Sequence, residues 1–118
     1  MEAAQQDRGA QTRAISDGAV QLLRDYTGRG PTKARAMFGE DIITVLLTDT
    51  LTKSEHKLVE FGEAKRVLDT RKEVQRMMRD ELVALVESVV QRKVIAFMSD
   101  NHIEPDLAVE MFVLAPQD

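Results

Sequence analysis

Apolar residues recur along this chain first at helical spacing and then at alternate positions, and the switches between the two periods mark the elements. Ile15, Ala19, Leu22 and Tyr26 share one side of a helix, and the pattern stops at Thr27-Gly28, where glycine supplies the left-handed conformation of a helix end. The turn Gly28-Arg29-Gly30-Pro31 then leads into a period of two, with Ala34, Ala36 and Phe38 alternating with Lys33, Arg35 and Met37, which predicts a strand. Gly39-Glu40-Asp41 turns the chain into residues 42 to 48, a run dense in β-branched side chains, so the two strands are expected to form a hairpin. Thr52-Lys53-Ser54-Glu55 has the spacing of a capping box, in which hydroxyl and carboxylate satisfy orphan amides at a helix start. Leu58, Val59 and Phe61 follow, and this short helix is expected to end near Gly62.

From Glu63 to about Gln91 neither glycine nor proline occurs, and Val67, Val74, Met78, Leu82, Leu85 and Val89 fall on one face of a long helix. Its last turns, Leu82 to Val90, are apolar on nearly every side, which predicts burial against more than one element. Residues 93 to 99 and 106 to 114 alternate again and predict two further strands, joined by a polar loop over residues 100 to 105. The order α-β-β-α-α-β-β implies an α+β fold, a two-layer sandwich in which an antiparallel four-stranded sheet carries its helices on one face. Residues 12 to 118 form a single domain on this reading, and residues 1 to 11, poor in large apolar side chains, a flexible N-terminus.

Composition narrows the class. The 118 residues carry 16 Lys+Arg against 20 Asp+Glu, a net charge of −4, and the sign alternates by segment: +2 over residues 1 to 35, −4 over 40 to 64, +2 over 65 to 81 and −4 over 82 to 118. No segment is basic enough for a concentrated nucleic-acid or membrane-surface footprint. With no cysteine there is no thiol nucleophile, disulfide or thiolate metal site. The N-terminal residues lack the features of a secretory signal, and no apolar run approaches the ~20 residues of a membrane span. A soluble cytoplasmic protein is the expectation.

Arg71 breaks a local rule, because it lies on the helix face assigned to the core. Its stem can pack at the rim with the guanidinium reaching water or a carboxylate, for which Asp49 and Glu110 are the candidates, or it can form an anion or carboxylate site. Lys65, Lys72, Arg76 and Arg79 make a basic stripe on the opposite face, diluted by Asp69, Glu73 and Asp80. Gly28-Arg29-Gly30-Pro31 follows a helix and precedes a strand, the reverse of a phosphate-cradling loop, and reads as a helix cap and fixed turn. Asp100, His102, Glu104 and Asp106 alternate in a loop without the glycine and terminal glutamate of a calcium-binding hand, and His56 has no histidine at i+4. No metal or cofactor is implied, and no nucleophile and base stand together.

The segments RDYTGRGPTKARAMFGEDIITVLLTDTLTKSEHKLVE and RKVIAFMSDNHIEPDLAVEMFVLAP together resemble the small MpsC-like family, named for a sodium-translocating, membrane-potential-generating system. The resemblance spans nearly all of residues 12 to 116. Its carriers are the Gly28-Arg29-Gly30-Pro31 turn, the helix start from Leu51-Thr52 to Glu55, Arg71, and the hairpin from Ser99-Asp100 to Phe112-Val113-Leu114. Arg92 departs from it, standing where a glycine is expected before the third strand. The resemblance implies association with a cation-translocating membrane system linked to inorganic-carbon supply and brings no catalytic residues with it.

These observations favour a non-enzymatic accessory or regulatory module, with Gly28, Arg29, Gly30, Pro31, Arg71, Asp100 and Glu110 as its candidate functional residues. A strand with two apolar faces and the apolar end of the long helix exceed what one small helical layer covers, so a homodimer is expected. The resemblance adds a membrane-protein partner. The alternative is an anion or nucleic-acid binding domain using Arg29, Lys33, Arg35 and the Lys72/Arg76/Arg79 stripe. A third reading, an enzyme with Arg71 orienting a carboxylate or bicarbonate and Glu110 or Asp49 as base, requires one concave pocket holding these groups.

Overall fold

The computed structural model describes residues 7 to 117. Seven elements follow in the expected order: α1 (Arg8–Thr27), β1 (Lys33–Gly39), β2 (Ile42–Thr48), α2 (Lys53–Glu60), α3 (Ala64–Val90), β3 (Val94–His102) and β4 (Leu107–Leu114). The strands form one antiparallel sheet of order β1-β2-β4-β3, so the second hairpin inserts its later strand beside β2 and leaves β1 and β3 as edges. The flexible segment expected over residues 1 to 11 falls largely outside the described residues, and α1 already includes residues 8 to 11.

Both long helices lie on one face of the sheet. Alternation along β2 and β4 sends Ile43, Val45, Leu47, Ala108, Phe112 and Leu114 inward, where they meet Ile15, Ala19 and Leu23 of α1 and Met78, Leu82 and Val86 of α3. The apolar end of α3 is covered as its all-round pattern requires, by α1 on one side and β3 on the other. Gly18 permits the close approach of the helices: a Cβ there would lie 2.7 Å from the δ-methyls of Leu85. Tyr26 ties the end of α1 to α3 by donating to Glu81.

Helix ends follow the local chemistry. Gly28 is left-handed (φ 81°) and returns its N–H to the Arg24 carbonyl, closing α1 as a glycine cap. Thr52 and Glu55 form the complete capping box of α2, with Glu55 N–H donating to Thr52 Oγ1 (3.2 Å) and Thr52 N–H to Glu55 Oε1 (2.8 Å). At the end of α3 the left-handed residue is Gln91 (φ 56°), so the backbone makes no demand for glycine at position 92. Arg92 instead clamps two other segments, donating to Asp41 Oδ1 (2.6 Å) and the Glu40 carbonyl (3.1 Å) in the β1–β2 turn and to the Ala115 carbonyl (2.7 Å) after β4.

β3 is longer than the alternation of apolar residues implies. Asp100, Asn101 and His102 continue the ladder opposite Val109, Ala108 and Leu107, which shortens the expected loop 100 to 105 to a tight turn ending in Pro105 and Asp106.

Candidate functional site

Of the polar side chains singled out in the sequence, Arg29 and Arg71 converge where β2 ends and α2 begins. Arg71 projects from α3 with 5% of its surface exposed, on the same face as Val67, Gln75 and Met78. Its guanidinium does not meet Asp49 or Glu110. It holds Glu55 in a two-point pair, Nε to Oε2 at 2.9 Å and Nη2 to Oε1 at 2.5 Å, and donates from Nη1 to Thr50 Oγ1 (3.2 Å) and from Nη2 to the Thr50 carbonyl (2.7 Å). The chain after β2 folds back over α3, so the capping carboxylate of α2 reaches the guanidinium before any strand-borne acid does. Burial raises the Glu55 pKa, but Arg71 and the Thr52 amide and hydroxyl outweigh it and hold the carboxyl below its ordinary value.

The GRGP turn braces the same junction from the other side. Arg29 Nη2 pairs with Asp49 Oδ2 at 2.7 Å and donates to the Asp49 carbonyl at 3.3 Å, across a residue held left-handed (φ 61°). Asp106, from the β3–β4 turn, accepts from Thr50 Oγ1 (3.0 Å) and Leu51 N–H (2.9 Å), while its carbonyl accepts from Asp49 N–H. Residues 49 to 51 are thus held by α1's end, by α3 and by the second hairpin at once. Thr50 is the hinge of this network, its hydroxyl donating to Asp106 and accepting from Arg71.

Ligand atoms of Asp49, His56 and Asp106 lie within 4.8 Å of one another. The alternating set Asp100, His102, Glu104 and Asp106 does not assemble, because the first two sit in β3, where His102 Nδ1 faces the Pro105 carbonyl at 2.8 Å. The two aspartates near His56 already receive Arg29, Thr50 and Leu51, and serve as anchors of the junction.

Behind Arg71, Glu110 is 2% exposed on β4. Gln75 Nε2 donates to its Oε2 at 3.1 Å, Gln75 Oε1 accepts from Asn101 Nδ2 at 2.8 Å, and Glu110 Oε1 is buried with no partner among the described residues. Burial pushes the Glu110 carboxyl up to about 7 against the opposing pull of the Gln75 hydrogen bond. Arg71, Glu55, Gln75 and Glu110 line one cavity, as an arginine-and-base site would require, but its volume is about 20 Å³. That is room for one water molecule and not for a carboxylate or bicarbonate ligand, and the guanidinium in its wall is taken by the chain's own Glu55.

A family model described as Na+-translocating membrane potential-generating system (MpsC) matches residues 7–116. The chain belongs to the MpsC family. The match takes in all seven elements and every residue of the junction. No curated protein and no solved structure matches the chain. None of the described helices of this MpsC-family chain is long and apolar enough to cross a membrane.

The basic residues do not form one patch. Lys65 and Arg76 are paired along α3 with Asp69 and Glu73, at 2.9 Å and 2.6 Å. Arg29 is spent on Asp49, and Lys33 and Arg35 point away from the helical layer, on the other side of the sheet from Lys72, Arg76 and Arg79. Asp100 shares that outer side of the sheet, remote from Arg71.

Sequence reasoning missed the Arg71–Glu55 pair and the role of Asp106. Glu55 carries a capping signature that accounts for it locally, and contacts at separations of 16 and 55 residues leave no periodic trace.

Proposed function

We propose that this MpsC-family protein is a cytoplasmic, non-enzymatic accessory or regulatory module of the membrane-potential-generating system, and that it works as a homodimer that docks on a membrane-protein partner. The observation that carries this reading is the bare side of the sheet. Helices cover one face only, while the other presents Met37, Ile42 and Met98, each more than 40% exposed, around a centre of further apolar side chains. The candidate residues divide accordingly. Arg71 and Arg29, the latter carried by the Gly28-Arg29-Gly30-Pro31 turn, tie down the β2–α2 junction, Glu110 lies behind it in the core, and Asp100 belongs to the bare face. Light scattering coupled to size exclusion, at two protein and two salt concentrations, tests the reading. The expected mass is twice 13.3 kDa, insensitive to salt. A 13.3 kDa species throughout overturns the homodimer. Copurification with the subunits of a sodium-translocating complex tests the accessory role, and its absence overturns that role.

A further inference from the structure

The register of the sheet arranges its bare face in rows that run from one edge strand to the other. Arg35 pairs with Leu46, Leu46 with Val109, and Val109 with Asp100, so one row begins with a cation and ends with an anion. The next row toward the β1–β2 turn is Met37, Thr44, Met111 and Met98, and the one beyond it ends in Ile42, Val113 and Ala96. Arg35 and Asp100 are exposed, and neither has an ion-pair partner among the described residues.

The geometry points to a second copy of this chain as the occupant of this face, related to the first by a two-fold axis that runs parallel to the strands between the two sheets. This deepens the homodimer proposed above and rests on it. A two-fold in that direction exchanges the left and right edges of the sheet while keeping each row opposite itself. Arg35 of one copy then stands over Asp100 of the other, twice by symmetry, and Leu46 stands over Val109 between them. In the neighbouring row Met37 meets Met98, two flexible thioethers at the positions where the stacked sheets need adaptable filling. A two-fold perpendicular to the strands instead keeps each edge strand over its own copy, so Arg35 meets Arg35 or Met37 and Asp100 meets Asp100 or Met98, never each other. That desolvates two charges without partners. Charge therefore favours the strand-parallel axis over the perpendicular one, and it matches the aligned stacking of β-sandwiches, about 10 Å between sheets.

Charge reversal tests this directly. Arg35→Asp and Asp100→Arg, each alone, oppose like charges in both pairs and are expected to weaken the dimer at least tenfold by concentration-dependent light scattering. The double variant restores opposite signs in exchanged places and is expected to return to within a few-fold of the wild type. Both positions are exposed, and circular dichroism checks that each variant remains folded. Met98→Asp places a charge within the face and is expected to dissociate any dimer formed there. A dimer that survives Met98→Asp lies on another surface, which overturns both this inference and the bare-face reading. A dimer lost in Met98→Asp but not rescued by the double reversal overturns the strand-parallel symmetry and leaves the proposed function standing. A wild type that stays monomeric overturns the homodimer and this inference together.

Discussion

At the scale of the residue, two buried charges have opposite consequences. Glu110 has lost its water and gained a single amide donor, so its carboxyl is protonated at pH values where it would be ionised in an unfolded chain. The folded state then binds the extra proton between the ordinary value of 4.5 and about 7. Its contribution is present in full below the ordinary value, declines as pH rises to about 7, and is level above; over that window the loss is on the order of 3 kcal/mol. Glu110→Gln is a lasting copy of the protonated form. Urea unfolding is expected to give equal stability for the two proteins near pH 4.5 and a more stable variant at pH 8, and parallel curves would acquit Glu110. Arg71 is stable as a charge because Glu55 and both oxygens of Thr50 meet it. Removing the guanidinium strands these acceptors, so Arg71→Ala is expected to cost about 3 kcal/mol. Arg71→Lys recovers less than half of this, because one ammonium cannot span both carboxylate oxygens and the Thr50 carbonyl. A urea midpoint that is unmoved in Arg71→Ala would make the pair a bystander.

At the scale of the element, α2 shows how a short helix persists without a core of its own. None of its residues is buried, and Phe61 just beyond it is 84% exposed. Its order depends on the capping box and on Glu55 reaching Arg71. Thr52→Ala removes the hydroxyl that accepts from Glu55 N–H and is expected to cost about 1 kcal/mol. Amide exchange over residues 53 to 60 should accelerate by about fivefold while α3 stays protected; equal acceleration in both would mean that α2 does not open by itself. The box was legible because both of its partners lie within one turn of sequence, and so were the Gly28 cap and the β1–β2 hairpin; on α3 Val67, Met78 and Leu82 are buried as expected, but Gln75, Val86 and Val90 are buried in place of the neighbouring Val74, Leu85 and Val89. The end of β3 was not, because Asp100, Asn101 and His102 are polar residues whose strand conformation is imposed by pairing with β4. Arg71 was legible as an exception on a core face, whereas its partner was not, since the acid that caps α2 also completes the ion pair. The departure at Arg92 has a local account: Gln91 takes the left-handed conformation and leaves Arg92 to act as a clamp.

At the scale of the molecule, a single chain is a two-layer slab with a Cα radius of gyration of 15.0 Å and extents of 52 × 24 × 22 Å. A sheet and one layer of helices account for one of the short dimensions. Packing bare face to bare face adds the second copy along that dimension and leaves the length unchanged. Two slabs stacked about 22 Å apart have a radius of gyration of about 19 Å, whereas two copies joined end to end along the 52 Å axis reach about 30 Å. Small-angle scattering of the dimer fraction is therefore expected near the lower value, and a result near the higher one would place the contact at the ends of the molecule. The same arrangement leaves the β2–α2 junction and α3 on the outside of the dimer, with its two helical layers facing opposite ways. A membrane-protein partner would then meet two identical helical surfaces related by the two-fold, and one dimer could engage two partner sites at once. On the proposed dimer, such bivalency would raise effective concentration at the partner without any new contact.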